Sequence, residues 1–276
     1  MTVSENIMII SNEESKSTKE MIDSAYLIQD EDEYWKIISK LHERGSKTEF
    51  NAAKKLSNES DPVKREIGAD ILGQLGWSKH SYHKESVSIL IKLLSDTSPD
   101  VIASAAFSLG HRNDSSAIPE LLKLVNHSSP RVRHGVAFGL SSHDNSSAVN
   151  GLIALSKDTD FDVRNWATFG LGSQCDIDNY RLRQALIGRT EDSEPEIRGE
   201  ALIGLARRKD DRVINKIENE LNGEFNGTWP IEAASLYPTI KFKPLLKNIL
   251  KSLSDEDKKA FSKQILEAIV NCENAD

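Results

Sequence analysis

The stretch Pro99-Asp-Val-Ile-Ala-Ser-Ala-Ala-Phe-Ser-Leu-Gly110 returns 31 residues later as Pro130-Arg-Val-Arg-His-Gly-Val-Ala-Phe-Gly-Leu140. A further 31 residues on it reads Phe161-Asp-Val-Arg-Asn-Trp-Ala-Thr-Phe-Gly-Leu-Gly172, and 34 after that Pro195-Glu-Ile-Arg-Gly-Glu-Ala-Leu-Ile-Gly-Leu205. A looser copy, Pro62-Val-Lys-Arg-Glu-Ile-Gly-Ala-Asp-Ile-Leu-Gly73, stands upstream. One such unit cannot bury its own apolar stripe. Stacked copies can, so a period of this length implies a solenoid with a continuous core and an extended surface.

Each copy supplies the second helix of a pair. First helices are expected over 47–56, 83–94, 117–125, 148–155, 180–187 and 212–221, where apolar residues recur at helical spacing. Pro62, Pro99, Pro130 and Pro195 stand at or just before the first turn, where a missing N–H costs nothing. Asp, Ser and Glu ahead of them provide caps. The fold expected is all-α, with about six helical pairs. A cap helix is expected at 32–43, repeats at 47–240 and two C-terminal cap helices at 241–272. Residues 1–28 read as a polar, mobile or loosely docked lead-in to a single domain over 29–276.

Within a second helix, counting from its first Val or Ile and turning 100° per residue, offsets 0, 4, 5, 7 and 8 share one arc. These are Val132, Val136, Ala137, Gly139 and Leu140 in one copy, and they form the core. Offset 1 is Arg133, Arg164 and Arg198, with Arg65 matching under a one-residue shift. Arginine at the border of a buried arc calls for partners. With the turn residues Asp96, Asp158 and Asp192 these arginines are read as a structural ladder, each bonding a turn carboxylate or carbonyls in its own or the adjacent repeat.

Offset 6 is Phe107, Phe138, Phe169 and then Ile203, pointing away from the core arc. Around it lie His111, His134, Asn165, Trp166, Glu200 and Arg207. An aromatic row with polar margins on the concave side reads as a partner-binding groove. The alternative is that each Phe leans onto the neighbouring second helix and thickens the core.

Chemistry is sparse. His111, His127, His134 and His143 fall in two adjacent repeats with Asp114 and Asp144, but ordinary turn capping explains such residues, so no metal is assigned. Cys175 and Cys272 have no neighbouring Cys in metal or redox spacing, and no phosphate loop or nucleophile elbow occurs. No catalytic residue and no cofactor is assigned. With 43 acidic against 35 basic side chains the net charge is −8, which argues against general attraction to nucleic acid. Ile7-Met8-Ile9-Ile10 is too short for a signal peptide or a membrane span. Two free thiols fit a reducing compartment, so the cytoplasm is the expected location.

The pattern Val-Arg-x-x-Ala-x(2–3)-Leu-Gly after Asp, Ser or Pro resembles the short HEAT-like repeat of the phycobilisome-lyase type over roughly 47–240. Val163–Gln174 and Arg198–Arg207 are particularly similar to bacterial HEAT-repeat proteins. The resemblance implies a right-handed α-α superhelix and a protein partner rather than a small-molecule substrate. It implies a scaffold, adaptor or inhibitor, a toxin-neutralising immunity protein among them. Bilin lyases or chaperones and HEAT-like DNA glycosylases are similar in architecture and stand as alternatives.

Overall fold

A computed structural model describes residues 16–79, 81–223 and 227–275. Among the described residues every regular element is helical. The chain divides into two compact units, Met1–Gly139 and Leu140–Asp276.

The first unit opens with α1 (Thr18–Leu27), α2 (Glu31–Arg44), α3 (Lys47–Leu56) and α4 (Pro62–Gln74). Then come α5 (His83–Leu93), α6 (Pro99–Arg112), α7 (Ile118–Leu122) and most of α8 (Pro130–Ser141). The expected lead-in is therefore corrected from Thr18 to Leu27. Those residues form a helix capped reciprocally by Ser17 and Glu20, and Met21 and Ala25 are buried. Residues 1–15 lie outside the described residues. First helices pack on their partners, α3 on α4 and α5 on α6, while the second helices α4 and α6 stack on each other.

The second unit contains α9 (Ser146–Leu155), α10 (Phe161–Phe169), α11 (Tyr180–Arg189) and α12 (Pro195–Arg207). It ends with α13 (Ile214–Asn222), α14 (Trp229–Leu236), α15 (Phe242–Ser252) and α16 (Asp255–Glu273). Second helices stack here too, α10 on α12 and α12 on α14, and α15 and α16 pack on each other at the C-terminal end. The segment after α10 continues as a π-helical turn from Gly170 to Gln174.

The punctuation is local. Pro62, Pro99 and Pro195 occupy the first helical turn, and the Asp61 and Asp160 side chains accept from Val63 N and Val163 N. Asn113 ends α6 in the left-handed region at φ 48°, a conformation its short polar side chain tolerates. Val101, Val132, Val163 and Ile197 are fully buried, as are Leu109, Leu140, Leu171 and Leu205. In each unit these positions form the apolar seam of the second helices.

Candidate functional site

The arginines at offset 1 all donate to carbonyls of their own turn, and Arg65, Arg164 and Arg198 also pair with a carboxylate. In the first unit Arg65 donates Nε and Nη2 to the two oxygens of Asp96, at 2.7 and 2.8 Å. Its Nη1 donates to the carbonyls of Glu59 and Ser60. Arg133 donates to the carbonyls of His127 and Ser128. In the second unit Arg164 reaches Asp192 at 3.2 Å and the carbonyls of Asp158 and Thr159. Arg198 reaches Glu220 at 2.7 Å and the carbonyls of Asp192 and Ser193. The carboxylate comes from the following repeat and the carbonyls from the arginine's own turn. Asp158 contributes its backbone oxygen to this ladder, and Glu220 enters it where the sequence offered no Asp.

Offset 6 does not project freely. Phe107, Phe138 and Phe169 are each half-buried. Phe138 lies against Gly110 of the preceding second helix, where an added Cβ would strike its ring. It sits 5.6 Å from the Phe107 ring and 4.9 Å from that of His111. Phe107 meets His134 edge-on at 4.9 Å. These four side chains form one aromatic shelf on the first unit, with His111 exposed and the others half-buried. Each ring packs on its neighbours and leaves part of itself at the surface.

In the second unit Trp166 and Phe169 meet edge-on at 5.5 Å, and Asn165 is half-buried. Glu200 accepts from the Ser173 hydroxyl at 2.6 Å, and burial holds its carboxyl above the usual range. Arg207 is exposed and pairs with Asp176 at 2.9 Å. Ile203 is corrected: it is 3% exposed and belongs to the core. The cause is the close seating of α14 on α12, where Trp229 lies directly over Gly199.

The sequence reading missed a residue in this row. The one-residue shift that aligns Arg65 also brings Asp70 to offset 6, the position of the phenylalanines. Asp70 is 9% exposed. It accepts from the Tyr34 hydroxyl of α2 at 2.6 Å and from the Ser104 hydroxyl of α6. Desolvation pushes its pKa up to about 6. The Tyr34 phenol is held far above its ordinary range by burial and then by the Asp70 charge, so it remains a donor. Beside them Arg131 bridges Glu66 at 2.9 Å and Asp100 at 2.6 Å. A notch of about 420 Å³ opens here, walled by Tyr34, Trp35, Glu66, Asp70 and Arg131, with Asp30 and Glu31 at its edge.

The histidines do not converge. His111 and His134 serve the aromatic shelf, while His127 Nδ1 accepts from Ser129 N. Among the described residues no group of three or more His, Cys, Asp or Glu side chains could hold a metal ion. No described helix is long and apolar enough to cross a membrane.

A family model for HEAT repeats matches residues 87–172 and 149–224, half of the chain. The protein belongs to the HEAT-repeat family. Among solved structures, this HEAT-repeat chain is similar to the Escherichia coli protein YibA at 26% identity and a TM-score of 0.74. That match covers 100% of this chain and 99% of the other. An archaeal HEAT-like repeat protein from Thermococcus onnurineus shares the fold at 15% identity and a TM-score of 0.54. It covers 80% of this chain and 96% of its own. The complex of CpcE and CpcF of phycocyanin lyase from Nostoc matches at 17% identity and a TM-score of 0.49, over 94% of each chain. At that distance the likeness carries no activity with it. No curated protein sequence matches. The short repeat read from Val-Arg-x-x-Ala is thus a HEAT repeat, and its α-α superhelical fold is a scaffold shared by many functions.

Proposed function

We propose that this HEAT-repeat protein is a non-catalytic scaffold, adaptor or inhibitor that holds a protein partner on the face of its second helices, in the cytoplasm. The observation that carries this reading is the aromatic shelf of Phe107, His111, His134 and Phe138. Rings of this size, part-sunk and fixed edge to face, present apolar area that loses little conformational freedom on contact. The neighbouring ladder arginines hold the turns on either side, so the shelf stands on a fixed backbone.

The test is site-specific cross-linking. A photoreactive benzoylphenylalanine replaces His111 on the shelf or, as a control, Lys92 on the exposed side of α5. The expected result in native cells is a discrete adduct with another protein from position 111 and none from position 92. Adducts of the same mass from both positions, or none from either, would sink the assignment of this face.

A further inference from the structure

Asp70 is a buried carboxylate that lacks a counter-ion. Among the described residues its side-chain partners are two hydroxyls, those of Tyr34 and Ser104, and no Lys or Arg forms an ion pair with it. Taking a carboxylate out of water costs several kcal/mol unless a cation or a full set of donors compensates it. Every other position in its row carries an apolar side chain, so the core does not require an acid there.

Asp70, held by these two hydroxyls, also lines the notch. Its walls combine carboxylates with the Tyr34 and Trp35 rings, which meet edge-on at 5.4 Å, and Trp35 is 42% exposed. Carboxylates beside an exposed indole face match a planar guanidinium, which pairs through its edge and stacks through its plane. The rim already shows this preference in an internal example, because Glu66 and Asp100 hold the guanidinium of Arg131. One helical turn beyond Ser104 on α6 lies Phe107, the first ring of the aromatic shelf. The notch for a cation therefore adjoins a surface for an apolar residue.

We infer that the notch of Tyr34, Trp35, Glu66 and Asp70 receives an arginine side chain from a basic segment of the protein partner, with an adjacent apolar residue resting on Phe107 and Phe138. This rests on the reading that the second-helix face binds protein, and it adds the chemistry of what is bound. Arg131 competes for Glu66 from within and lowers the affinity.

The test uses the full chain and a random dodecapeptide library displayed on phage. Selected peptides are expected to carry arginine next to an apolar residue. Binding of the best synthetic peptide, read by calorimetry, should fall at least tenfold when its arginine is replaced by citrulline. It should fall as much with Asp70→Asn, whose melting temperature serves as the folding control. Arg131→Ala, an exposed change, should tighten binding severalfold, and this gain cannot arise from misfolding. Selected peptides that are acidic or uncharged overturn the inference, as does unchanged affinity in both variants. Equal affinity for arginine amide alone overturns it too, making the notch a small-cation pocket. Cross-linking from position 111 that persists unchanged in Asp70→Asn would leave the protein-binding face standing and remove only the arginine receptor.

Discussion

At the scale of single residues the strongest consequence lies in how Asp70 and His42 titrate. Asp70 in the folded protein has a pKa of about 6 against ~3.9 unfolded, so the native state binds the extra proton. Stability from this group is present in acid and is lost as pH rises from about 4 to 6, by roughly 3 kcal/mol. His42 Nε2 donates to the Asp70 carbonyl, 2.9 Å away, and burial lowers its pKa to about 4. There the unfolded state binds the proton, so stability falls by a similar amount as pH drops from about 6.5 to 4. The two slopes oppose each other over the same window. Wild-type stability should therefore be nearly flat between pH 4.5 and 6. Asp70→Asn should expose the histidine slope alone, with a urea midpoint that climbs steeply from pH 4.5 to 6.5. Parallel pH profiles for the two proteins would show that Asp70 does not titrate in this range.

Asp70 also marks where the sequence stopped being legible. Offset 6 is read from the three copies that keep Phe there, and the first copy is out of register by one residue. The shift is detectable through Arg65, yet an acid in an aromatic row carries no periodic signal of its own. For the phenylalanines the sequence leaves two readings open, an exposed groove and burial against the next helix. Whether a ring stands free depends on how closely the next helix approaches, and that is set by Gly110 and Gly135. A Cβ at Gly135 would lie 2.9 Å from the Ala103 carbonyl, a backbone atom that cannot yield. Gly135→Ala is thus expected to lower the melting temperature by several degrees, from an overpacking cost of about 1–3 kcal/mol. An unchanged melting temperature would mean that the α6–α8 separation is looser than the structure has it.

Among the elements, the helical pairs were the most readable part because their signals are local. Proline in the first turn, Asp or Asn before it, and apolar spacing of 3.6 are all present within a dozen residues. Helix α3 falls on the expected residues 47–56, whereas α1 escaped notice because only Met21 and Ala25 of its ten residues are buried. A second arginine device was also missed. Arg112 and Arg208 both lie at offset 11 and reach back to the end of the preceding second helix. Arg112 donates to the carbonyls of Leu72 and Leu75, and Arg208 to those of Leu171, Cys175 and Ile177. They supply donors to helix-terminal carbonyls that have no partner within their own helix. In the same position His143 is buried and Gln174 exposed. Burial lowers the Arg112 pKa to about 10, so it stays charged at neutral pH. Arg112→Met keeps the aliphatic volume and removes the donors. It should cost about 2–4 kcal/mol, because two buried carbonyls lose their partner. The corresponding change at exposed Arg181, on the outer side of α11, should stay within about 0.5 kcal/mol in the same denaturation experiment.

For the whole molecule, a repeat array predicts how stability is distributed along the chain. Each pair draws its support from the pairs beside it, so a terminal helix has neighbours on one side only. Helix α1 packs on α2, α3 and α4, and α16 on α14 and α15. By contrast α6 buries Val101 through Ala106 without a break, and α12 buries Ala201 through Ala206. Amides in α6 and α12 should consequently exchange slowest in native-state hydrogen exchange, and those of α1 and α16 fastest. Within each unit the other helices should follow their burial rather than their own helix propensity. Low denaturant should first release protection at the two termini and leave α6 and α12 until the global transition. Uniform protection that collapses together at one denaturant concentration would instead describe a globular domain, in which the core is shared by all elements and no end exists to fray.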